Sequence, residues 1–387
     1  MIPFKYPHRV ATLRERLPEV AENNPAIAAL LVSHLENCRY LTGFSGSNAV
    51  VLLTSDEALF FTDGRYELQA AKEVSGFELL IMPQGSDLAK AAAEQVRKRN
   101  LPSVGFEETN LTVKAFNALR AALDGENSGN AVSANGDGKN IALTGKSGYV
   151  ESVRAIKDAD ELSRLRAAIA LADRCFDYIL TVAKPGLTER ELAWKMEVFM
   201  RESGAERLSF DSIVGSGPNS ALIHGRPGNR IIGSSGEPEF LLLDFGAELN
   251  GYCSDMTRTL VIGGEPTQQQ RTMYDAVLRA QLAAIAAIRP GVIGKDVHAV
   301  ALKSLEADGL AQHFGHGTGH QVGRVVHDGA ALGLTTELEL RPGMVVTVEP
   351  GVYIETVGGV RIEDVVVVTE TGNEILSRST KALITLP

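Results

Sequence analysis

The spacing of apolar and polar positions divides the chain into two parts with different patterns. Up to about residue 123, short apolar runs alternate with helical patterns, which is typical of a small α/β domain. The predicted elements here are helices at 8–22, 64–74, 86–99 and 112–123 and strands at 26–33, 49–53, 58–62, 77–82 and 103–106. A loop with regularly placed glycines, Tyr40–Asn48, follows the first strand. We therefore expect an α/β domain over residues 1–150.

The pattern changes after a polar segment at residues 124–140, which is rich in Gly, Asn, Ser and Asp and which we predict to be a surface excursion. From Asp158, apolar residues recur at spacings of three and four, which predicts a long amphipathic helix. These residues are Leu162, Leu165, Ile169, Ala172, Phe176 and Ile179. We expect a second domain over residues 151–387.

A weak internal repeat lies within this second domain. Lys184–Leu192 aligns with Arg289–Val297 at an offset of 105 positions. The predicted helices that follow, and the glycines at their C-termini, align without a gap. Each half reads as a long helix, a basic-Pro-Gly turn, a second helix and strands, so we predict two similar halves whose sheets meet about a pseudo-twofold axis. The alternative is that Pro-Gly is a common turn sequence after a helix and that the two segments are not related by a repeat.

Two aspartates flank the strongest hairpin signal in the chain, Asn250-Gly251. This dipeptide favours a type I′ turn, because both central residues of such a turn need positive φ. With Asn250 and Gly251 as the loop, Asp244 and Asp255 fall on one face as diagonal neighbours, about 7–8 Å apart. Two unpaired carboxylates in an apolar sheet destabilise the fold through repulsion and loss of hydration, and a cation between them would remove this destabilisation. The alternative is that Asp255 lies in solvent at a strand end and that Asp244 caps a turn.

Composition limits the classes of partner. The 387 residues are 44% hydrophobic and 22% charged, as in a globular protein of two domains, and the net charge of −10 disfavours binding to nucleic acid or an anionic membrane. The first ten residues lack a signal-peptide core, and no run approaches the roughly 20 apolar residues of a membrane span. We expect a soluble, cytoplasmic protein. The three cysteines lack CxxC spacing, so neither a disulfide framework nor a thiolate metal site is predicted.

Candidate metal ligands follow the second half of the repeat. The glycine-rich segment Phe314–Asp328 carries three of the eight histidines, and Glu349 ends an apolar strand. By period two, Arg361 and Glu363 share one face of a further strand. Alone, a glutamate here would be a salt-bridge partner, and a histidine a hydrogen-bonded loop residue.

Taken together, these glutamates, the two aspartates and one histidine provide four carboxylates and one imidazole on neighbouring strands. Oxygen-rich ligation with a single imidazole favours Mn²⁺, Co²⁺ or Zn²⁺. Two such ions would balance four carboxylates, and paired ions of this kind support hydrolysis.

The sequence resembles the pita-bread metallopeptidases, specifically the Xaa-Pro peptidases, which are the prolidases and the aminopeptidases P. The family's ligand order Asp, Asp, His, Glu, Glu falls on Asp244, Asp255, His316, Glu349 and Glu363. The segment Tyr40–Tyr66 is similar to the creatinase-type N-terminal domain of those enzymes. The resemblance implies an α+β protein, with a creatinase-like domain at 1–150 and a pita-bread catalytic domain at 151–387. It also implies two divalent ions, Mn²⁺ foremost.

The resemblance further implies roles for single residues. Glu349 would both ligate an ion and accept a proton from the attacking water, and Arg361 would orient the ligands. His224 and His327 match histidines that line the substrate pocket and steady the tetrahedral intermediate, and His320 matches a further pocket histidine. The implied substrates are small proline-containing peptides, and the implied assembly is a homodimer.

Departures from the family pattern concern the substrate carboxylate. Arg324 and Val325 stand where relatives often have leucine and an acidic residue, and Ile223 stands where many have proline. In dipeptide-cleaving relatives an arginine a few residues before Pro-Gly-Met binds the substrate carboxylate. Here the segment Glu337–Arg341 has its arginine only at the last position, directly before Pro-Gly-Met. We expect Arg324 to bind that carboxylate, unless it pairs with Asp328 at the surface.

This expectation favours a Xaa-Pro dipeptidase over an aminopeptidase P. Two further alternatives are a methionine aminopeptidase, which the extra N-terminal domain disfavours, and a metal-free binding protein or creatinase-type relative, which the complete ligand set disfavours.

Overall fold

The computed structural model describes residues 6–19, 26–124 and 140–387. The chain forms two compact units, Met1–Arg154 and Ala155–Pro387. The assignment of residues 1–150 and 151–387 as separate functional domains stays a prediction. The polar surface segment predicted at 124–140 consists mainly of residues 125–139, which lie outside the described residues.

The N-terminal unit is built around a mixed sheet. In chain order its elements are α1 (Pro7–Arg16), β1 (Ala29–Val32), α2 (Leu35–Thr42), β2 (Val50–Thr54), β3 (Ala58–Asp63), a 3₁₀ helix (Gly64–Tyr66), α3 (Glu67–Glu73), β4 (Glu78–Met82), α4 (Leu88–Lys98), β5 (Ser103–Glu107), α5 (Val113–Asp124), β6 (Ala142–Lys146) and α6 (Glu151–Arg154). The strand order is β4-β3-β2-β1-β5-β6. Every residue of the central strand β1 is buried, because apolar clusters cover both faces of the sheet.

Several elements of this unit differ from the prediction. Helix α1 ends at Arg16, before the predicted end at residue 22, and α2, β6 and α6 are additional elements. The loop predicted at Tyr40–Asn48 begins inside α2, which continues to Thr42 and ends at Gly43 with a φ of 79°. Cys38, Tyr40 and Leu41 are buried on this short helix, so packing against the core stabilises a helix that the sequence pattern does not predict.

The C-terminal unit contains the repeat and the candidate ligands. Its elements are α7 (Ala159–Val182), α8 (Glu189–Glu202), β7 (Arg207–Leu208), β8 (Ile213–Ser216), a 3₁₀ helix (Gly217–Ala221), β9 (Glu239–Phe245), β10 (Ala247–Leu249), β11 (Tyr252–Cys253), β12 (Met256–Ile262), α9 (Gln268–Ala287), α10 (Gly294–Ala307), a 3₁₀ helix (Ala311–His313), β13 (Gly319–His320), β14 (Ala331–Leu332), β15 (Val345–Val348), β16 (Gly351–Ile354), β17 (Gly358–Arg361), β18 (Asp364–Val368), β19 (Asn373–Ile375) and β20 (Thr385–Leu386).

The predicted repeat is confirmed in the helices and in the backbone contacts around them. Helices α8 and α10 begin and end at positions 105 apart, and α7 and α9 end 105 apart. The N–H of Gly186 donates to the carbonyl of Ile232, as the N–H of Gly291 donates to the carbonyl of Leu340. The two halves therefore use the same backbone geometry where each second helix begins.

Two sheets of this unit carry the candidate ligands. One has the order β20-β12-β9-β8, and the other has the order β15-β18-β19. The helices bury their apolar faces against these strands, and β9, β12, β15 and β18 are buried along their whole length. Among the described residues, no helix is both long and apolar enough to cross a membrane. The predicted cytoplasmic location stays a prediction.

Candidate metal centre and substrate pocket

The hairpin register places the two aspartates as the sequence predicts. Asn250 and Gly251 have φ values of 54° and 72°, as a type I′ turn requires. Leu249 pairs with Tyr252, and Asp244 pairs with Thr257 further along the same register, which sets Asp255 opposite Gly246. A Cβ at residue 246 would lie 2.0 Å from the Ser254 carbonyl oxygen, so this close approach requires glycine. Both carboxylates line a common pocket.

The two glutamates reach the aspartates through backbone contacts between separate strands. Glu363 follows β17, its N–H donates to the Thr257 carbonyl oxygen at 3.1 Å, and its Oε2 accepts from the Thr257 hydroxyl at 2.8 Å. Glu349 follows β15, and its Oε1 accepts from the Thr347 hydroxyl at 3.1 Å. The same hydroxyl accepts the N–H of His320 at 3.0 Å. Thr347 therefore holds a carboxylate and a histidine backbone in fixed relation.

His320, and not His316, directs a ring nitrogen at the carboxylates. Its Nε2 lies 3.4 Å from Asp255 Oδ2 and 3.4 Å from Glu349 Oε1. Within the described residues, Asp255, His320 and Glu363 form a group whose ligand atoms lie within 4.8 Å of one another, a separation that suits a bound metal ion.

The predicted ligand His316 has other partners. Its Nδ1 donates to the Gly317 carbonyl oxygen at 2.8 Å, and its Nε2 lies 2.9 Å from the Tyr353 hydroxyl. Burial lowers the pKa of His316 to about 4, so the ring is neutral and its Nε2 accepts the hydroxyl proton. The geometry thus disagrees with the choice of His316, because both its nitrogens are already hydrogen-bonded.

The electrostatics of the cluster fit a cation. Burial, and then the neighbouring charges of Asp244 and Glu349, raise the pKa of Asp255 well above its ordinary value. Burial likewise raises the pKa values of Asp244, Glu349 and Glu363. Asp244 Oδ1 and Glu363 Oε1 are buried and have no hydrogen-bond partner in the described part of the chain. Such orphaned carboxylate oxygens, beside the imidazole of His320, are a donor set that divalent ions fill.

We expect the stabilisation that a divalent ion provides to grow with pH. Since the carboxyl pKa values are raised in the metal-free fold, that fold binds more protons than the unfolded chain, and its stability falls as pH rises through the raised values. Ion binding needs the deprotonated carboxylates and so strengthens over the same range. The difference in Tm between Mn²⁺-loaded and chelated protein should widen as the pH rises through the raised carboxyl pKa values. A constant or narrowing difference would contradict this charge assignment.

Arg361 connects the cluster to its surroundings. Its Nη2 donates to Asp244 Oδ2 at 2.6 Å, its Nη1 donates to the Tyr353 hydroxyl at 2.8 Å, and its Nε donates to the Thr257 hydroxyl at 3.0 Å. Tyr353 was not predicted as a site residue. The sequence signal for it is the period-two spacing from Glu349, which puts residue 353 on the same face. Tyr353 lies on β16 opposite Gly359, and the missing side chain of this glycine leaves room for the tyrosine ring.

A second unpredicted residue, Arg258, lies behind the cluster. Its side chain is 1% exposed and donates to the backbone carbonyls of Thr257 and Glu363 and to Asp364 Oδ1, the last at 2.8 Å. Lys381 Nζ lies 2.7 Å from the other carboxylate oxygen of Asp364. This buried ion cluster fixes the backbone from which Glu363 projects.

The cluster opens into a cavity of about 320 Å³. Its walls include the predicted residues His224, His316, His320, His327 and Arg361 as well as the four carboxylates. Apolar side chains and two glycines also line the cavity, namely Phe210, Ile213, Ile223, Val326, Ala331, Gly317 and Gly319. The volume suits a small peptide.

Arg324 is the predicted substrate residue that the structure does not bring to the cavity. Its guanidinium lies 5.4 Å from the centre of the Tyr252 ring, and its Nη2 would lie 3.3 Å from a Cβ placed at Gly251. Its backbone N–H donates to Asp328 Oδ2. The residue is 5% exposed and is not part of the described cavity lining. The structure therefore does not bring Arg324 to this cavity, because its side chain packs over Tyr252 at the hairpin. Binding of the substrate carboxylate by Arg324 stays a prediction.

Comparison with known proteins agrees with this architecture. The family model for Metallopeptidase family M24 matches residues 163–370, and the model for the Creatinase/Prolidase N-terminal domain matches residues 9–172. Over 360 residues the chain is 39% identical to the Uncharacterized peptidase YqhT of Bacillus subtilis (strain 168), an alignment that covers 93% of this chain and 96% of that protein.

Two solved structures are similar over most of the chain. The Xaa-Pro dipeptidase from Bacillus anthracis gives a TM-score of 0.89 at 36% identity and covers 99% of this chain and 100% of that chain. The X-Pro aminopeptidase from Thermotoga maritima MSB8 gives a TM-score of 0.81 at 32% identity and covers 93% of this chain and 97% of that chain.

These matches confirm the predicted fold, a creatinase-type N-terminal domain followed by a pita-bread catalytic domain. They also confirm the predicted class of enzyme, and the family implies divalent metal, which accords with the carboxylate–histidine cluster. The chain belongs to metallopeptidase family M24.

Proposed function

We propose that the protein is a divalent-metal exopeptidase that hydrolyses the Xaa-Pro bond of dipeptides. The observation that carries this proposal is the group of Asp255, His320 and Glu363, with both carboxylates buried, at a cavity of about 320 Å³ in a chain of a metallopeptidase family. The similarity to a solved Xaa-Pro dipeptidase along almost the whole chain supports the choice of substrate.

Five side chains would hold two ions, namely Asp244, Asp255, His320, Glu349 and Glu363, with His320 in the place first expected of His316. The excess of oxygen ligands favours Mn²⁺, and Co²⁺ or Zn²⁺ would also suit the set. When bound, such a pair lowers the pKa of water and polarises a carbonyl group.

The chain's own residues would handle the proton and the substrate. Glu349, steadied by the Thr347 hydroxyl, is placed to accept a proton from the attacking water and to return it to the departing proline nitrogen. Burial lowers the pKa of His327, so its neutral ring can donate a hydrogen bond to the developing oxyanion, and His224 lines the same cavity. An Xaa-Pro bond has no N–H, so the site needs no acceptor for one.

The second candidate is an aminopeptidase P, which releases the first residue of longer Xaa-Pro peptides. The position of Arg324 outside the cavity lining favours it, because a dipeptidase needs a cation near the proline carboxylate. The similarity to the X-Pro aminopeptidase of Thermotoga maritima also supports it. The predicted homodimer stays a prediction.

The test compares three substrates with protein that is chelated and then reloaded with Mn²⁺, Co²⁺ or Zn²⁺. We expect Ala-Pro to be cleaved with the highest kcat/KM, Ala-Pro-Ala more slowly, and Ala-Ala least of the three. The chelated protein should be inactive and should recover with added ion. Preference for Ala-Pro-Ala would move the assignment to aminopeptidase P, and full activity after chelation would overturn the proposal.

A further inference from the structure

A buried carboxylate outside the metal cluster holds both ends of the loop that carries His224. Glu189 is the first residue of α8 and is 0% exposed. Its Oε1 accepts from the N–H and the hydroxyl of Ser216 at 2.8 and 2.9 Å, and its Oε2 accepts from the N–H of Gly228 at 3.1 Å. The Asn219 amide donates to both oxygens at 3.0 and 3.1 Å.

These donors lie on either side of the segment 222–227, which we call the His224 loop. Ser216 and Asn219 precede it, Gly228 follows it, and its members Ile223 and His224 line the substrate cavity. The carboxylate thus closes the loop at its base. Within the described residues no lysine or arginine forms an ion pair with Glu189, so its negative charge is balanced by N–H and O–H donors alone.

The second half of the repeat shows that this carboxylate is an addition to the shared architecture. At the offset of 105 positions, Glu189 corresponds to Gly294. The N–H of Glu189 donates to the carbonyl of Arg230, and the N–H of Gly294 donates equivalently to the carbonyl of Leu338. The backbone pairing at the start of the helix therefore does not depend on a side chain at this position.

A side chain in place of the glycine of the second half would be tightly packed. A Cβ at residue 294 would lie 3.3 Å from the side chains of Leu332 and Thr336, so a larger side chain would press on them. The two halves share the same backbone hydrogen bonds at the start of the second helix, and of the two only the first half carries a buried acid at this position. Since the backbone pairing at the helix start also forms with glycine, and since burial of an acid costs desolvation, this pairing does not explain the presence of Glu189.

We propose that Glu189 is a positioning residue that fixes the His224 loop against the substrate cavity. The inference rests on the proposed function, in which His224 lines the substrate cavity. A carboxylate accepts at both oxygens, whereas an amide accepts at one and donates at the other. In Glu189→Gln, either Ser216 or Gly228 must therefore face an NH₂ group, and one end of the loop is released.

The test compares Glu189→Gln with Glu191→Ala, both as full-length, Mn²⁺-loaded proteins. Glu191 lies two residues further along the same helix, is exposed, and forms the capping box with Thr188, so its loss weakens the helix start without touching the loop. Glu189→Gln should accelerate hydrogen–deuterium exchange over residues 216–230 by about tenfold or more and lower kcat/KM for Ala-Pro by about tenfold or more. Bound Mn²⁺ should stay at the wild-type level, and Glu191→Ala should match the wild type in all three measurements.

Wild-type exchange over residues 216–230 in Glu189→Gln, or equal changes in Glu191→Ala, would overturn the inference. If the wild type does not cleave Ala-Pro, the proposed function fails, but the exchange comparison still decides whether Glu189 holds the loop. If Glu189→Gln does not fold, Glu189→Asp keeps the charge on a shorter side chain that cannot reach both ends of the loop. Faster exchange in that variant supports the inference, and exchange at the wild-type rate overturns it.

Discussion

Asp255→Asn should yield a folded protein that has lost bound metal and nearly all hydrolytic activity. The substitution keeps the volume of the side chain but removes the charge from a residue that lies 3.4 Å from His320 and groups with Glu363. Substitution of residues that only support metal ligands costs about 10- to 100-fold in metal affinity, so loss of a ligand should cost more than about a hundredfold. Metal content by mass spectrometry and kcat/KM for Ala-Pro measure the two effects.

The stability of the same variant provides a sharper check. In the chelated wild type, burial and repulsion from Asp244 and Glu349 disfavour the charged form of Asp255. A neutral amide removes that repulsion, so chelated Asp255→Asn should melt no lower than the chelated wild type. Asp160→Asn, which removes an exposed carboxylate paired with Arg164, is the matched control and should keep full activity. An active, metal-loaded Asp255→Asn protein would contradict the assignment of the cluster.

The three histidines of the glycine-rich segment should separate into two classes when each is replaced by alanine. His320→Ala should lose metal, because its Nε2 lies among the carboxylates. His327→Ala should retain metal and lose about 10²–10³ in kcat, the usual cost of removing one donor to an oxyanion. His316→Ala should retain metal, because its nitrogens bond Gly317 and Tyr353.

The His327 result depends on its place beside the ligand. Its ring centre lies 4.2 Å from that of His320 in an edge-on arrangement, and it lines the cavity. Metal content and kcat must therefore be measured on the same preparations. Metal loss in His316→Ala with full retention in His320→Ala would restore the ligand first expected from the sequence. Metal loss in His327→Ala would assign that residue to the ions and not to the substrate.

Much of the catalytic unit follows from local sequence rules. The dipeptide Asn250-Gly251 and the period-two pattern beside it predict the register that sets Asp255 opposite Gly246 and on the face of Asp244, as observed. The offset of 105 positions predicts two matching helix pairs, and the helix bounds repeat at that offset. Turn chemistry and strand alternation act over a few residues, so they can be read without knowledge of the fold.

The orientation of side chains in the glycine-rich segment does not follow from such rules. His316 and His320 are both compatible with the motif, and the hydroxyl of Thr347, 27 residues away, fixes the backbone of His320. The sequence predicts Arg324 at the substrate, whereas in the structure its guanidinium packs against the ring of Tyr252 at the hairpin. Glycine-rich loops have no periodicity that sets the direction of a side chain, so contacts distant in sequence decide it.

The sequence by itself therefore determined the fold family, the hairpin that carries the aspartates, the repeat and the set of carboxylates, because each depends on patterns within short segments or on motif order. Only the tertiary structure decided which histidine joins the carboxylates, that Arg324 lies outside the cavity lining, and that Glu189 holds both ends of the His224 loop. The physical reason is that a side chain in a loop has several allowed directions of similar energy. Packing and hydrogen bonds from elsewhere in the chain select one of them.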